Sequence, residues 1–250
     1  MKLLINSSQG FADKFLFIVD YICCAHNNNE RLEIYDCVSN YMNIYLDEVF
    51  DDFCGLFDYH RIESKAELKL DPELGWVSGN DLQVKFKHTQ SNGYVMEKFI
   101  VNKLFSKLKT SITNKVNLNI SDFMCGVHIR GTDKTLIYAT EEQSIEIERA
   151  DKELLENNYK EIYQSIPYQQ SNNLFICSSH KIYEDYFTEL ASNKNIFSNP
   201  KNTFNRHTKD GMIEGILDLL FLSKCDYIYH ISKIPKPSKF LRLANLVNIF

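Results

Sequence analysis

Hydrophobic positions change period repeatedly along this chain, and the changes mark its elements. KLLINSS is a short apolar run closed by polar residues; it predicts a buried strand and then a loop over residues 7–10. From 11 to 26 the apolar residues fall at Phe11, Phe15, Ile18, Val19, Ile22 and Cys23, which is helical spacing. NNNE reads as a turn and RLEIYD as a second strand. Strand, loop, helix and strand in that order open an α/β fold. Residues 50–92 are less regular: GLFDYHR, DPELGW and SNGY predict irregular structure with short elements. Residues 94–108 predict an amphipathic helix through Val95, Phe99, Ile100, Leu104, Phe105 and Leu108.

Beyond the polar stretch TSITNKVNLNISD the alternation restarts. FMCGVHIR, NLFICSS, NIFSN and DYIYHIS read as strands. Residues 141–163, KIYEDYFTELA, residues 210–224 and SKFLRLANLV read as helices between and after them. Strands apolar on both faces belong to parallel sheets covered by helices. Two α/β halves follow, 1–115 and 116–250, with a boundary near 110–120 and a cleft between them. In such sheets ligands meet the carboxyl ends of the strands. IRGTDK, SSQG, CSSH and ISKIPKPSK all fall there.

The 250 residues suffice for one large or two small domains with a real core. With 44% apolar and 24% charged residues, the composition is that of a soluble globular protein. A net charge of −5 disfavours general affinity for nucleic acid or an anionic membrane. The start, MKLLINSSQGF, is too short in apolar residues for a secretory signal, and no run approaches the ~20 of a membrane span. The seven cysteines show no framework and no CxxC, so they are expected as reduced thiols in a cytoplasmic protein. The ligand spacing of a zinc site is missing, and no metal is expected.

Four places invite chemistry. In GVHIRGTDK, Arg130 just past a strand can fork onto phosphate oxygens, Lys134 adds a point charge, and Asp133 can orient the arginine. A solvated ion pair in a surface loop fits the same spacing equally well. His128, inside the strand, reads by chemistry alone as a satisfied core histidine. SSQG, ending in Gly10, can present backbone N–H groups to an anion or simply cap the following helix. Asp218 interrupts the apolar ILDLLFL, where a carboxylate is costly to bury unless it is paired, exposed on a polar stripe, or holding a ligand. Ser238, after Pro235 and Pro237, can cap the last helix or donate to a phosphate. Asp13, Glu141, Glu142, His180 and His207 are acid/base candidates without a partner fixed by spacing. GxSxG, HExxH, Walker A and paired CxxC motifs are absent from the sequence.

GVHIRGTDK resembles the HxRRTDK segment of the α1,6-fucosyltransferases and nodulation fucosyltransferases, and more loosely the HxR segment of the α1,2- and protein O-fucosyltransferases. NLFICSSHKIYEDYF and RHTKDGMIEGILDLLFLSKCDYIYHIS resemble that superfamily's next strand–helix and its later ILDxxFLSxxDxxxxTxS segment, in the same order. The three segments span about residues 120–240; the first 115 residues match only in style. The resemblance implies a GT-B-like fold, two Rossmann-type α/β domains facing a central cleft. The first would be the acceptor side and the second the nucleotide-sugar side.

It implies a metal-independent, inverting transfer of L-fucose from GDP-fucose to a glycan hydroxyl, building a surface glycan of a bacterium or virus, without a cofactor. Arg130 would clamp the β-phosphate, with His128, Asp133, Lys134, Ser178 and Gly10 shaping the donor site. Asp218 would hold the nucleoside, and Ser232 or Ser238 would lie near the diphosphate. Glu141 or Glu142 would take the acceptor's proton. The partners would be a GDP-sugar and an oligosaccharide, with no nucleic acid. Three departures stand out: Gly131 replaces the second arginine, Ser178–Ser179 replace an acidic pair, and ISKIPKPS replaces a TxSS tail. They leave open another nucleotide sugar, such as GDP-mannose or a UDP-sugar, or a non-catalytic GDP- or glycan-binding homologue.

Overall fold

The computed structural model describes residues 1–5, 11–37, 44–63, 90–116, 122–130, 141–203, 208–232 and 238–247, with 90–93 and 141–150 described as backbone only. The chain forms two α/β units. The first comprises residues 1–117, 205–217 and 239–250; the second comprises 118–204 and 218–238.

The first unit is built on three parallel strands in the order β1-β2-β3: β1 (Lys2–Ile5), β2 (Glu33–Cys37) and β3 (Asp58–Ile62). Helix α1 (Phe11–Asn27) crosses from β1 to β2, and each apolar residue expected to face inward is buried. Helix α2 (Gln90–Phe105) and a short turn of helix, α3 (Thr110–Thr113), follow. Phe15, Phe50 and Phe105 meet at ring-centroid distances of 5.1–5.8 Å. Each such fully buried ring contributes about 2–3 kcal/mol. A charged pair sits in the same interior. Lys14 Nζ donates to Asp36 Oδ1 at 2.6 Å, while Asp36 Oδ2 accepts Leu46 N–H at 2.9 Å and Tyr59 O–H at 3.0 Å. Burial pulls the Lys14 amine below its ordinary value, against the attraction of Asp36.

The stretch expected to hold short elements in irregular structure contains β3, a third parallel strand. One expectation for this unit is corrected. Of the apolar positions assigned to the inner face of α2, Val95 and Phe99 are exposed. Ile100, Leu104, Phe105 and Leu108 are buried as expected, joined by Val101, with Glu97 buried beside them and bound by Arg242 at 2.6 Å.

The second unit contains four parallel strands in the order β6-β5-β4-β7: β4 (Met124–Arg130), β5 (Asn173–Ser178), β6 (Asn195–Phe197) and β7 (Tyr227–Ser232). Helices α4 (Glu141–Gln164), α5 (Ile166–Gln170) and α6 (Lys181–Leu190) connect the first strands, and α7 (Lys209–Ser223) leads from β6 to β7. α8 (Lys239–Leu246), near the end of the described chain, belongs to the first unit. On one sheet face, Cys125, Val127, Ile129, Leu174, Ile176 and Ile231 bury against Leu155, Ile162, Tyr168, Tyr183 and Phe187 of α4–α6. On the other, Phe175 meets Phe221 of α7 at 5.3 Å. There β4 carries Gly126, where a Cβ would come within 2.8 Å of Leu222 and 2.9 Å of Cys225. The glycine therefore sets how closely strand and helix approach.

Among the described residues, which include all seven cysteines, none forms a disulfide. No helix among them is long and apolar enough to cross a membrane.

Candidate functional site

The second sheet winds outward from β4 through β5 to β6, then returns to place β7 on the other side of β4. The order reverses between β4 and β7. At such a switch point the connections leave in opposite directions, and the strand ends open a crevice where ligands bind. The residues that terminate these two strands are Arg130 and Ser232, registered partners across the pair and both half-buried. No described carboxylate pairs with Arg130. A guanidinium and a hydroxyl at adjoining strand ends suit an oxyanion with several oxygens.

One pleat deeper, on the same face, His128 is registered with His230. Their rings stack at 5.1 Å with 12° between planes, and the two Nδ1 atoms lie 3.1 Å apart. His230 Nδ1 is also 3.3 Å from the His128 carbonyl oxygen. Burial holds the His230 imidazole below the ordinary histidine range; the Arg130 charge lowers it further, against the hydrogen bond to the His128 carbonyl. His128 is buried, as expected of a core histidine, and belongs to this pair.

Beside the switch point, the end of β5 carries a buried ionic cluster. Lys201 Nζ binds Glu184 Oε1, Asp218 Oδ2 at 3.0 Å and the Ser178 carbonyl at 3.3 Å. Glu184 Oε1 also accepts the Ser178 N–H at 2.7 Å, and Asn199 Nδ2 reaches Asp218 Oδ1 at 3.4 Å. Burial works against the lysine's charge, but Asp218 and Glu184 outweigh it and hold the amine above its ordinary value. Burial raises the Glu184 carboxyl, and Lys201 only partly offsets this.

The structure thus brings together His128, Arg130 and Ser232, with Ser178 one strand away, registered with Ile129. Asp218 takes the internal pairing among its open readings. The Ser178 hydroxyl accepts the His180 N–H at 3.2 Å, which makes it a turn-former at the strand end. Ser238 is buried immediately before α8. Glu141 and Glu142 open α4, and their side chains lie outside the described residues. Gly10, Asp133 and Lys134 also lie outside the described residues. His230, Lys201 and Glu184 were not anticipated. For His230 the alternation of DYIYHIS carried a signal, since it shares a face with Ser232; Lys201 and Glu184 had none. Among the described residues, no group of three or more His, Cys, Asp or Glu side chains converges as a metal site.

By sequence, no family model matches the chain, and no curated protein does. By structure, the chain is similar to α-1,6-fucosyltransferase NodZ soaked with GDP-fucose, with a TM-score of 0.55, 15% identity, and coverage of 98% of this chain and 92% of that one. NodZ co-crystallised with GDP gives 0.54 at 16% identity, over 98% and 92% of the two chains. The selenomethionine form of fucosyltransferase NodZ from Bradyrhizobium gives 0.60 at 14%, again over 98% and 92%. At such identities the likeness is one of fold.

Proposed function

We propose that the protein is a glycosyltransferase that moves L-fucose from GDP-fucose to a hydroxyl of a glycan acceptor, inverting the anomeric centre without a metal ion. The observation that carries this is the position of Arg130. It ends β4 beside Ser232, at the switch point of a sheet whose chain shares the fold of a fucosyltransferase soaked with GDP-fucose. The segment GVHIRGTDK, which resembles the superfamily's HxRRTDK, contains that same arginine.

Breaking the bond between the sugar and the diphosphate leaves negative charge on the departing nucleotide. A guanidinium fixed at a strand end meets that charge without reorganising, which stabilises the transition state more than the ground state. Ser232 can donate to the same phosphates. Asp133, Lys134 and Gly10 complete the donor site in this reading, and Glu141 or Glu142 accepts the proton of the attacking hydroxyl. The seven cysteines without a disulfide support a reducing, cytoplasmic setting.

Titration with GDP and with GDP-fucose tests the assignment; no binding of either at millimolar concentration overturns it. Arg130→Ala is expected to keep the fold, since the side chain is half-buried and no described carboxylate depends on it. It should lower transfer and donor hydrolysis by about 100- to 1000-fold. Full activity in that variant removes Arg130 from the mechanism.

One observation favours a second reading, a GDP-binding homologue without turnover. Asp218 is engaged by Lys201 and Asn199, and Gly131 supplies no second guanidinium. GDP binding without transfer to any acceptor or to water selects that reading.

A further inference from the structure

Two imidazoles in contact at the switch point are an unusual use of two strand positions. Between Nδ1 atoms 3.1 Å apart there is room for a single hydrogen. The His128 carbonyl oxygen, 3.3 Å from His230 Nδ1, can only accept, so it assigns the proton of His230 to Nδ1. In this neutral form His230 Nε2 is a bare lone pair. That atom is buried and has no hydrogen-bond partner among the described residues. A second proton on Nε2 would make the ring a cation next to Arg130, whose charge opposes it.

Occupation of the Arg130 end by an anion reverses this balance. Two phosphates there cancel the repulsion and replace it with attraction, which favours the imidazolium. Beyond Arg130 and the Lys134 of the donor reading above, an imidazolium would add further positive charge toward the two phosphates. Lys201 is already faced by two carboxylates, and Lys181 is bound to Asp185 at 2.7 Å. The residue after Arg130 is a glycine.

We propose that the stacked His128–His230 pair is a proton-accepting part of the diphosphate site, gaining one proton from solvent when the diphosphate of a nucleotide sugar seats at Arg130. The proposal rests on the donor reading above. The proton moves from water to His230 Nε2, and no covalent bond to the ligand forms. Several ionisable groups lie on the elements around β7. They are His128 and Arg130 on β4, Asp218 on α7, Cys225 after it, and Asp151, Glu156 and Tyr159 on α4. Of these, Arg130 acts electrostatically on His230.

GDP-fucose is the suitable probe because its diphosphate, esterified at both ends, is fully ionised across the range and releases no proton of its own. The free His230 ring titrates below the ordinary histidine value of about 6.5, and in the bound protein it should titrate above the free one. Affinity should therefore rise as the pH falls from about 8 to about 6, by up to about tenfold per pH unit. Calorimetry in buffers of different ionisation enthalpy should show net proton uptake on binding. In His230→Gln the slope and the uptake should vanish. In the wild-type protein, histidine-ring NMR at about pH 6.5 should show a ring becoming protonated as GDP-fucose is added. Binding of GDP-fucose without pH dependence, an unchanged slope in His230→Gln, or rings that stay neutral in the bound protein each overturn the proposal while leaving the donor assignment standing. Absence of GDP-fucose binding at every pH overturns both.

Discussion

Lys201 brings one positive charge to two buried carboxylates, Glu184 and Asp218, and that stoichiometry decides what its loss would do. Lys201→Ala leaves both acids without their cation in a place from which water is largely excluded. Removing one member of a buried ionic group is destabilising by about 3–5 kcal/mol, more than the group itself contributes when intact. Urea unfolding of Lys201→Ala should show that loss. Glu184→Gln with Asp218→Asn in the same protein should restore part of it, because neutral side chains no longer require the lysine. A variant as stable as the wild type would mean that the carboxylates are not buried as described. Half of this cluster was legible in the sequence: a carboxylate inside ILDLLFL has to be paired, exposed or bound to something. Its partner was not legible, since Lys201 belongs to no periodic pattern and reaches Asp218 only through the path of the chain between β6 and α7. The same holds for His230. Alternation places it on a face with Ser232, but only the strand order sets that face beside His128.

At the level of elements, the interior of β4 depends on a side chain that is absent. Gly126→Ala puts a methyl group within 2.8 Å of Leu222 and 2.9 Å of Cys225, so the strand and the end of α7 have to separate or their side chains leave preferred rotamers. Overpacking of this kind costs about 1–3 kcal/mol. A drop in the denaturant midpoint with an unchanged slope would report it; a midpoint at the wild-type value would mean that the neighbours yield freely. Most elements were readable because their apolar residues repeat at the helix or strand period over long runs, as in α1 and β5. β3 was not. It is an edge strand whose residues His60 and Arg61 are exposed, and only Ile62 is fully buried, so its ladder to β2 leaves little hydrophobic trace. In the stretch 94–108, Ile100, Leu104, Phe105 and Leu108 were placed inward correctly and Val95 and Phe99 were not, because Glu97, paired with Arg242, takes an inward position that apolar counting passes over.

Taken as a whole, the chain does not divide at one point. The first unit receives residues 205–217 and 239–250 back from the far end of the sequence, and the division falls inside α7. Helix α8 packs on α1 and α2 with Leu243, Ala244, Leu246 and Val247 buried, and the Leu246 carbonyl accepts Asn102 Nδ2 at 3.0 Å. Removing residues 239–250 should therefore weaken the first unit, although the cut lies at the opposite end of the sequence. Hydrogen exchange should show amide protection falling in α1 and α2 and persisting in β4 and β5. Equal loss in both units would contradict the assignment of α8.

This return of the chain also bears on the order of events during synthesis. Every strand of the second unit has been translated before α8 is made, so that sheet can form while α1 and α2 still expose the apolar surface that α8 will cover. The stretch opened by α1, which is made before every other described helix, is then among the last to become complete, and the nascent chain is vulnerable to aggregation there.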